Sequence, residues 1–267
     1  MIYKKINLLD NPTEYDFMPY METYILDGEK RPMIVICPGG AYSFTSEREA
    51  ERIAVNYNAA GFHAAVIWYC VSPHKFPMAL KNVAKAITII RENEQEWNID
   101  SNKVMVCGFS AGGHLASSIS TMWNDKEIFS EEDIASKIHR PNATILCYPV
   151  ITSGEYAHKW SISSLLKDED ETNPLWKKVS IENCVDGETP PAFVWHTYED
   201  EAVPVENSLL YVGALRKNGI PFELHIFDKG PHGLSLVSDD VIWSKGRFER
   251  EYPWLKLSVD WVNNLQL

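Results

Sequence analysis

The stretch VMVCGFSAG, residues 104–112, decides the architecture of this chain. Its first four residues are all apolar, the mark of a short strand covered on both faces. The stretch Gly108-Phe109-Ser110-Ala111-Gly112 follows, and after it a helical segment running to about residue 123, with Leu115, Ala116, Ile119 and Met122 on one side. A serine between a buried strand and a helix sits on a tight turn. Small residues two positions away on either side let the backbone pack closely there. The helix N-terminus aims free N–H groups and positive partial charge at the turn, which favours a developing oxyanion. Ser110 is therefore a candidate nucleophile. The plainer alternative is a glycine-rich turn that merely contains a serine.

Outward from this point the same alternation recurs. Residues 33–37 (MIVIC), 63–69 (HAAVIWY), 143–148 (ATILCY), 192–196 (AFVWH) and 222–227 (FELHIF) read as strands. Between them lie helical patterns. One opens after Pro77 and carries Leu80, Val83, Ala84, Ile87, Ile90 and Trp97 as an apolar stripe. Another begins near Pro204, buries Leu209, Val212 and Leu215, and ends at Gly219. A last one starts near Trp254 with Leu257, Trp261, Val262 and Leu265. Strands alternating with helices predict an α/β fold: a mostly parallel central sheet with helices on both faces, with ligands outside the carboxyl ends of the strands. The chain reads as a single domain over 1–267. Residues 151–190 break the rhythm, and are either a small lid over the site or a surface excursion.

The formal charge of −12 repels phosphate backbones and anionic lipid surfaces, so neither nucleic acid nor membrane is an expected partner. A neutral small molecule is easier to accommodate, and a homo-oligomer is allowed. No apolar run is long enough for a membrane span, and MIYKKINLLDNP at the start lacks the pattern of a signal peptide. Cys37, Cys70, Cys107 and Cys147 lie in or beside apolar runs and fit no zinc spacing, which points to structural thiols and a cytoplasmic location. No phosphate loop, dinucleotide fingerprint or metal motif is present, so no cofactor and no metal are expected.

A serine nucleophile needs a base, an acid and an oxyanion hole. In folds with this strand–serine–helix turn, nucleophile, acid and histidine follow in that order along the chain. Of eight histidines, His232 lies in Gly230-Pro231-His232-Gly233, a loop after the 222–227 strand. His225 lies inside that strand and is expected to face solvent, and His114 is one helical turn from Ser110, too close to serve. The acid is expected after the preceding strand, where Asp200 stands just before a helix start. Glu199 and Glu201 are the fallback and Asp228 a distant alternative. Pro38-Gly39-Gly40-Ala41-Tyr42 follows the first buried strand. The expected oxyanion donors are the N–H groups of Gly40 and Ala111, with Gly39 or Ala41 as alternatives.

Several stretches together resemble the acetyl xylan esterase-like branch of the α/β-hydrolases, close to hormone-sensitive-lipase-type carboxylesterases. They are ICPGGAYSF (36–44), EQEWNID (94–100) leading into VCGFSAGGHLA (106–116), TPPAFVWHTYEDEAVPVENSL (189–209) and PFELHIFDKGPHGL (221–234). The resemblance implies an α/β-hydrolase fold and a cytoplasmic bacterial serine esterase that removes acetyl groups from sugar fragments. It implies a triad of Ser110, Asp200 and His232, with oxyanion donors among Gly39, Gly40, Ala41 and Ala111. Pro38 and Ala41 replace the histidine and third glycine of the HGGG motif of lipases. A peptidase or lipase of the same fold, or a non-catalytic binding protein, remain the alternatives.

Overall fold

The computed structural model describes residues 1–9, 17–236 and 252–265, with the backbone of two short strands between the last two segments. The chain begins with β1 (Ile2–Asn7), β2 (Tyr20–Ile25), β3 (Arg31–Cys37), α1 (Glu51–Ala59), β4 (His63–Trp68) and α2 (Met78–Glu92). It continues with β5 (Ile99–Phe109), α3 (Ala111–Met122), α4 (Glu131–Ser136), β6 (Ala143–Cys147), α5 (Lys159–Leu166) and α6 (Pro174–Lys178). The last elements are β7 (Ala192–Thr197), α7 (Glu206–Lys217), β8 (Phe222–Phe227), the small pair β9 (Ile242–Trp243) and β10 (Gly246–Arg247), and α8 (Trp254–Asn264).

Eight strands form one sheet in the order β1-β2-β4-β3-β5-β6-β7-β8. The six from β4 to β8 run parallel, as expected. Alternation along each strand serves two cores. Met33, Val35, Val104, Val106, Leu146 and Val194 pack with α2, α3 and α7 on one face. Ile34, Ile36, Met105, Cys107, Ile145 and Phe193 pack with α1 and α8 on the other. A sheet covered on both faces explains why its strands read as continuous apolar runs.

Three features differ from expectation. The antiparallel strands β1 and β2, which extend the sheet beyond β4, were not expected. β1 alternates half-buried and exposed residues at the sheet edge (IYKKIN), too polar to read as a buried strand. Trp97 lies beyond the end of α2, although it is buried in the turn leading to β5. Leu209 is 47% exposed, because the buried stripe of α7 is Ser208, Tyr211, Val212 and Leu215. That stripe has helical spacing but begins with a polar residue, whose hydroxyl meets His196 Nδ1 at 2.8 Å.

The 151–190 stretch contains α5, α6 and a short 3-10 turn at Ile181–Asn183. Ile162, Leu165, Leu166, Trp176, Val179 and Ile181 join the first core, so the stretch is packed onto the body of the fold. His114 on α3 is fully enclosed beneath it. Its Nε2–H donates to the Val179 carbonyl at 2.8 Å, which leaves Nδ1 to accept from the Tyr42 hydroxyl, also at 2.8 Å. Burial pushes the imidazole down to about 4, against the opposing effect of the Val179 bond.

Two outcomes follow from this packing. A Cβ on Gly108 would collide with the Gly112 carbonyl, so Gly108→Ala is expected to lower stability in equilibrium urea unfolding by roughly 1–3 kcal/mol. A change within about 0.5 kcal/mol, the ordinary surface effect, would contradict that. His114 is neutral in both states above its unfolded value of 6.5, so its contribution to stability is complete there. Between 6.5 and about 4 only the unfolded chain takes up the proton, and stability falls as pH falls. Wild type should therefore lose stability more steeply than His114→Gln across that window, by up to about 1.4 kcal/mol per pH unit. Parallel stability curves would contradict it.

Candidate active site

Each candidate residue lies just past the carboxyl end of a strand: Gly39–Ala41 after β3, Ser110 after β5, Asp200 after β7 and His232 after β8. Ser110 has φ 52° and ψ −119°, a conformation that costs a non-glycine residue of order 1–3 kcal/mol. Its surroundings hold it there. Its N–H donates to the Cys147 carbonyl at 3.0 Å, and its carbonyl accepts from Gly113, His114 and Val150 at 2.9, 3.1 and 3.0 Å. A Cβ on Gly112 would strike the Cys37 and Pro38 carbonyls, so a glycine is needed where α3 meets the end of β3.

The Ser110 Oγ lies 2.7 Å from His232 Nε2, and His232 Nδ1 lies 2.6 Å from Asp200 Oδ2. A carboxylate only accepts, so Nδ1 carries the hydrogen and Nε2 is free to take the serine proton. The Asp200 side chain is fully enclosed, whereas that of His232 is 23% exposed. Asp200 Oδ1 accepts from the N–H groups of Ala202 and Val203 at 3.0 and 2.9 Å. Burial opposes ionisation of Asp200, but hydrogen bonds from His196 and His232 outweigh it and hold the carboxyl well below the usual carboxylate range.

His232 Nδ1 bonds to Asp200, not to Glu199 or Glu201. Glu199 accepts the Gly230 N–H at 3.2 Å and so braces the histidine loop, while Glu201 and Asp228 are exposed. His225 is half-buried rather than solvent-facing, between Phe193 and Phe227, with Nε2 2.7 Å from Glu223.

Of the two alternative oxyanion donors, Gly39 and Ala41, the first is already engaged. The Gly39 N–H donates to Glu49 Oε2 at 2.8 Å and is not available to a ligand. Among the described residues, the Gly40, Ala41 and Ala111 N–H groups donate to no backbone carbonyl outside regular elements. Gly40 has φ 128°, and a Cβ there would run into the Phe44 backbone, so glycine is required at this turn.

Glu49 and Tyr148 were not singled out from the sequence. Glu49 is 3% exposed, and its second oxygen accepts from the Tyr148 hydroxyl at 2.7 Å. That hydroxyl accepts the Ser235 N–H at 2.9 Å, and the Tyr148 ring packs edge-on against the His232 imidazole, centroids 5.1 Å apart. One buried carboxyl thus ties the oxyanion loop to the histidine loop. His196 also escaped notice. It is buried in β7, 3.2 Å from Asp200 Oδ2, and its Nε2 meets the Val203 carbonyl at 2.9 Å. A glutamate in the polar run SEREAE has no motif to mark it. His196, four residues before an acid on the same strand–loop turn, could have been flagged by that spacing.

The BD-FAE family model matches residues 21–215. The chain is 37% identical over 248 residues to endo-1,4-beta-xylanase B of Butyrivibrio fibrisolvens, covering 89% of this chain and 38% of that protein. It is 36% identical over 230 residues to the acetylxylan esterase of Xylanibacter ruminicola, covering 82% of this chain and 45% of that protein. The chain therefore spans less than half the length of either. Among solved structures, the acetyl ester-xyloside bifunctional hydrolase of Caldicellulosiruptor lactoaceticus superposes with a TM-score of 0.85 at 39% identity, covering 97% of this chain and 95% of that one. With a mostly parallel sheet and a serine on the turn between β5 and α3, the chain has the α/β-hydrolase fold and belongs to the BD-FAE family.

Proposed function

We propose that this chain is a serine carboxylesterase that removes acetyl groups from xylose-based saccharides, with Ser110 as nucleophile, His232 as general base and Asp200 as the acid that orients it. The observation that carries this reading is the unbroken hydrogen-bonded line from Ser110 Oγ through His232 to Asp200. The N–H groups of Gly40, Ala41 and Ala111, which donate to no backbone carbonyl outside regular elements, are the donors this reading assigns to the oxyanion. The names of the Xylanibacter and Caldicellulosiruptor proteins support acetylated xylosides as the substrate class. The net charge of −12 fits a neutral ester better than nucleic acid or an anionic membrane. Five free cysteines fit a reducing compartment, the cytoplasm.

In the first step His232 Nε2 takes the Ser110 proton as Oγ attacks the ester carbonyl. The backbone N–H groups receive the oxyanion, and Asp200 stabilises the imidazolium. His232 then gives that proton to the sugar oxygen as the tetrahedral intermediate collapses and the C–O bond breaks, so the sugar leaves as a free hydroxyl and an acetyl group stays on Ser110. Water, activated by the same imidazole, releases acetate and restores the serine. Xyloside cleavage is outside this proposal. It asks for two carboxyl groups flanking the glycosidic bond, whereas Asp200 and Glu49 are each enclosed and bound to protein donors.

Ser110→Ala is expected to lower hydrolysis of p-nitrophenyl acetate by roughly 10³-fold or more while the circular dichroism spectrum is unchanged. An active Ser110→Ala protein would remove the nucleophile assignment. Acetate release from acetylated xylo-oligosaccharides, set against nitrophenyl esters of longer acyl chains, separates an acetyl esterase from a lipase.

A further inference from the structure

The chain between Val150 and Leu166 is fastened to the nucleophile, the acid side and the oxyanion side of the site. The Val150 N–H donates to the Ser110 carbonyl at 3.0 Å. On the acid side, Ile151 and Thr152 donate to Asn207 Oδ1 at 2.9 and 3.1 Å, and Asn207 Nδ2 donates to the Tyr156 carbonyl at 2.9 Å. Asn207 stands in the first turn of α7, directly after the Asp200 loop. On the oxyanion side, Ser164 Oγ meets Ser43 Oγ at 3.0 Å, and the Phe76 N–H donates to the Leu165 carbonyl at 2.9 Å. Ser43 is two residues beyond Ala41. Residues 157–163 therefore cross from the acid side of the site to its oxyanion side.

Two side chains on this crossing are unexplained by packing. Trp160 is 56% exposed, on the side of α5 opposite its buried Ile162, Leu165 and Leu166. His158 lies beside it, ring centroids 6.2 Å apart. The His158 Nδ1 is 2.7 Å from the hydroxyl of the fully buried Ser161, which fixes the ring, and no described side-chain bond engages Nε2. Burial pushes the His158 imidazole down, with His232 adding to that and Asp200 acting the other way.

We propose that His158 and Trp160 form the subsite for the sugar half of the ester: the Trp160 indole lies against the C–H face of a pyranose, and His158 Nε2 hydrogen-bonds one of its hydroxyls. This rests on the esterase reading above. An aromatic face beside one polar ring nitrogen suits a neutral ring with apolar faces and a polar rim. A long acyl chain would need a continuous apolar groove, whereas Trp160 follows Lys159 in the chain and has the His158 ring as its neighbour.

The test compares deacetylation of acetylated xylo-oligosaccharides with hydrolysis of ethyl acetate, whose alcohol is too small to reach this subsite. Wild type, His158→Ala, His158→Gln, Trp160→Ala and Trp160→Phe are measured, each with its thermal midpoint. KM for the oligosaccharide should rise about tenfold in the two alanine variants, as expected for losing one substrate-side contact. The Trp160→Phe variant should recover part of that loss, and kcat/KM for ethyl acetate should stay within about twofold in every variant. Equal changes on both substrates in folded variants, or no change on either, would overturn the subsite. A wild-type protein inactive on both esters would instead sink the esterase reading, which is a separate outcome. If an alanine variant fails to fold, the His158→Gln and Trp160→Phe variants carry the comparison.

Discussion

The site depends on one backbone constraint: Ser110 is held at φ 52° on the turn between β5 and α3, with its hydroxyl within bonding reach of His232. A non-glycine residue adopts this conformation only when its surroundings over-determine it. Here they do so from several directions. Gly108 lets β5 approach the start of α3, and Gly112 lets α3 approach the end of β3. The Cys147 carbonyl and Val150 N–H, at the end of β6, clasp the Ser110 backbone on the other side. The strain is thus offset by the central strands of the sheet, which are the most buried part of the chain.

Around that turn the remaining groups are held by buried polar bonds rather than by apolar contact. Asp200 accepts four hydrogen bonds, two from the backbone of its own loop and two from histidines. Such a carboxyl remains charged and cannot rotate freely, so it fixes the imidazole of His232 in one orientation. Glu49 does comparable work between loops that are remote in sequence. By binding Gly39 and Tyr148 it couples the position of the oxyanion loop to that of the histidine. A low-dielectric setting makes each of these bonds stronger, and makes the loss of any one of them costly.

Much of this was legible in the sequence because the fold repeats one pattern. Buried parallel strands read as apolar runs, and the candidate residues follow them, so Ser110, Asp200 and His232, which the fold brings into one hydrogen-bonded line, could each be named by looking just past a strand. What stayed hidden has a physical cause in each case. β1 and β2 lie at an edge where alternation is mixed with charge, which weakens the strand signal. The buried stripe of α7 opens with Asn207 and Ser208, polar residues buried for their hydrogen bonds, so apolar spacing pointed to Leu209 instead. Which glycine N–H groups are free depends on Glu49, a tertiary partner that no local motif announces.

The central claim is that the Ser110 hydroxyl is activated by His232. Treatment with a fluorophosphonate, followed by intact mass and peptide mapping, tests it most directly. One adduct on Ser110 that forms readily in wild type and is lost or greatly slowed in His232→Ala is the result expected. No adduct, an adduct on another residue, or labelling of Ser110 that is indifferent to His232→Ala would contradict the account.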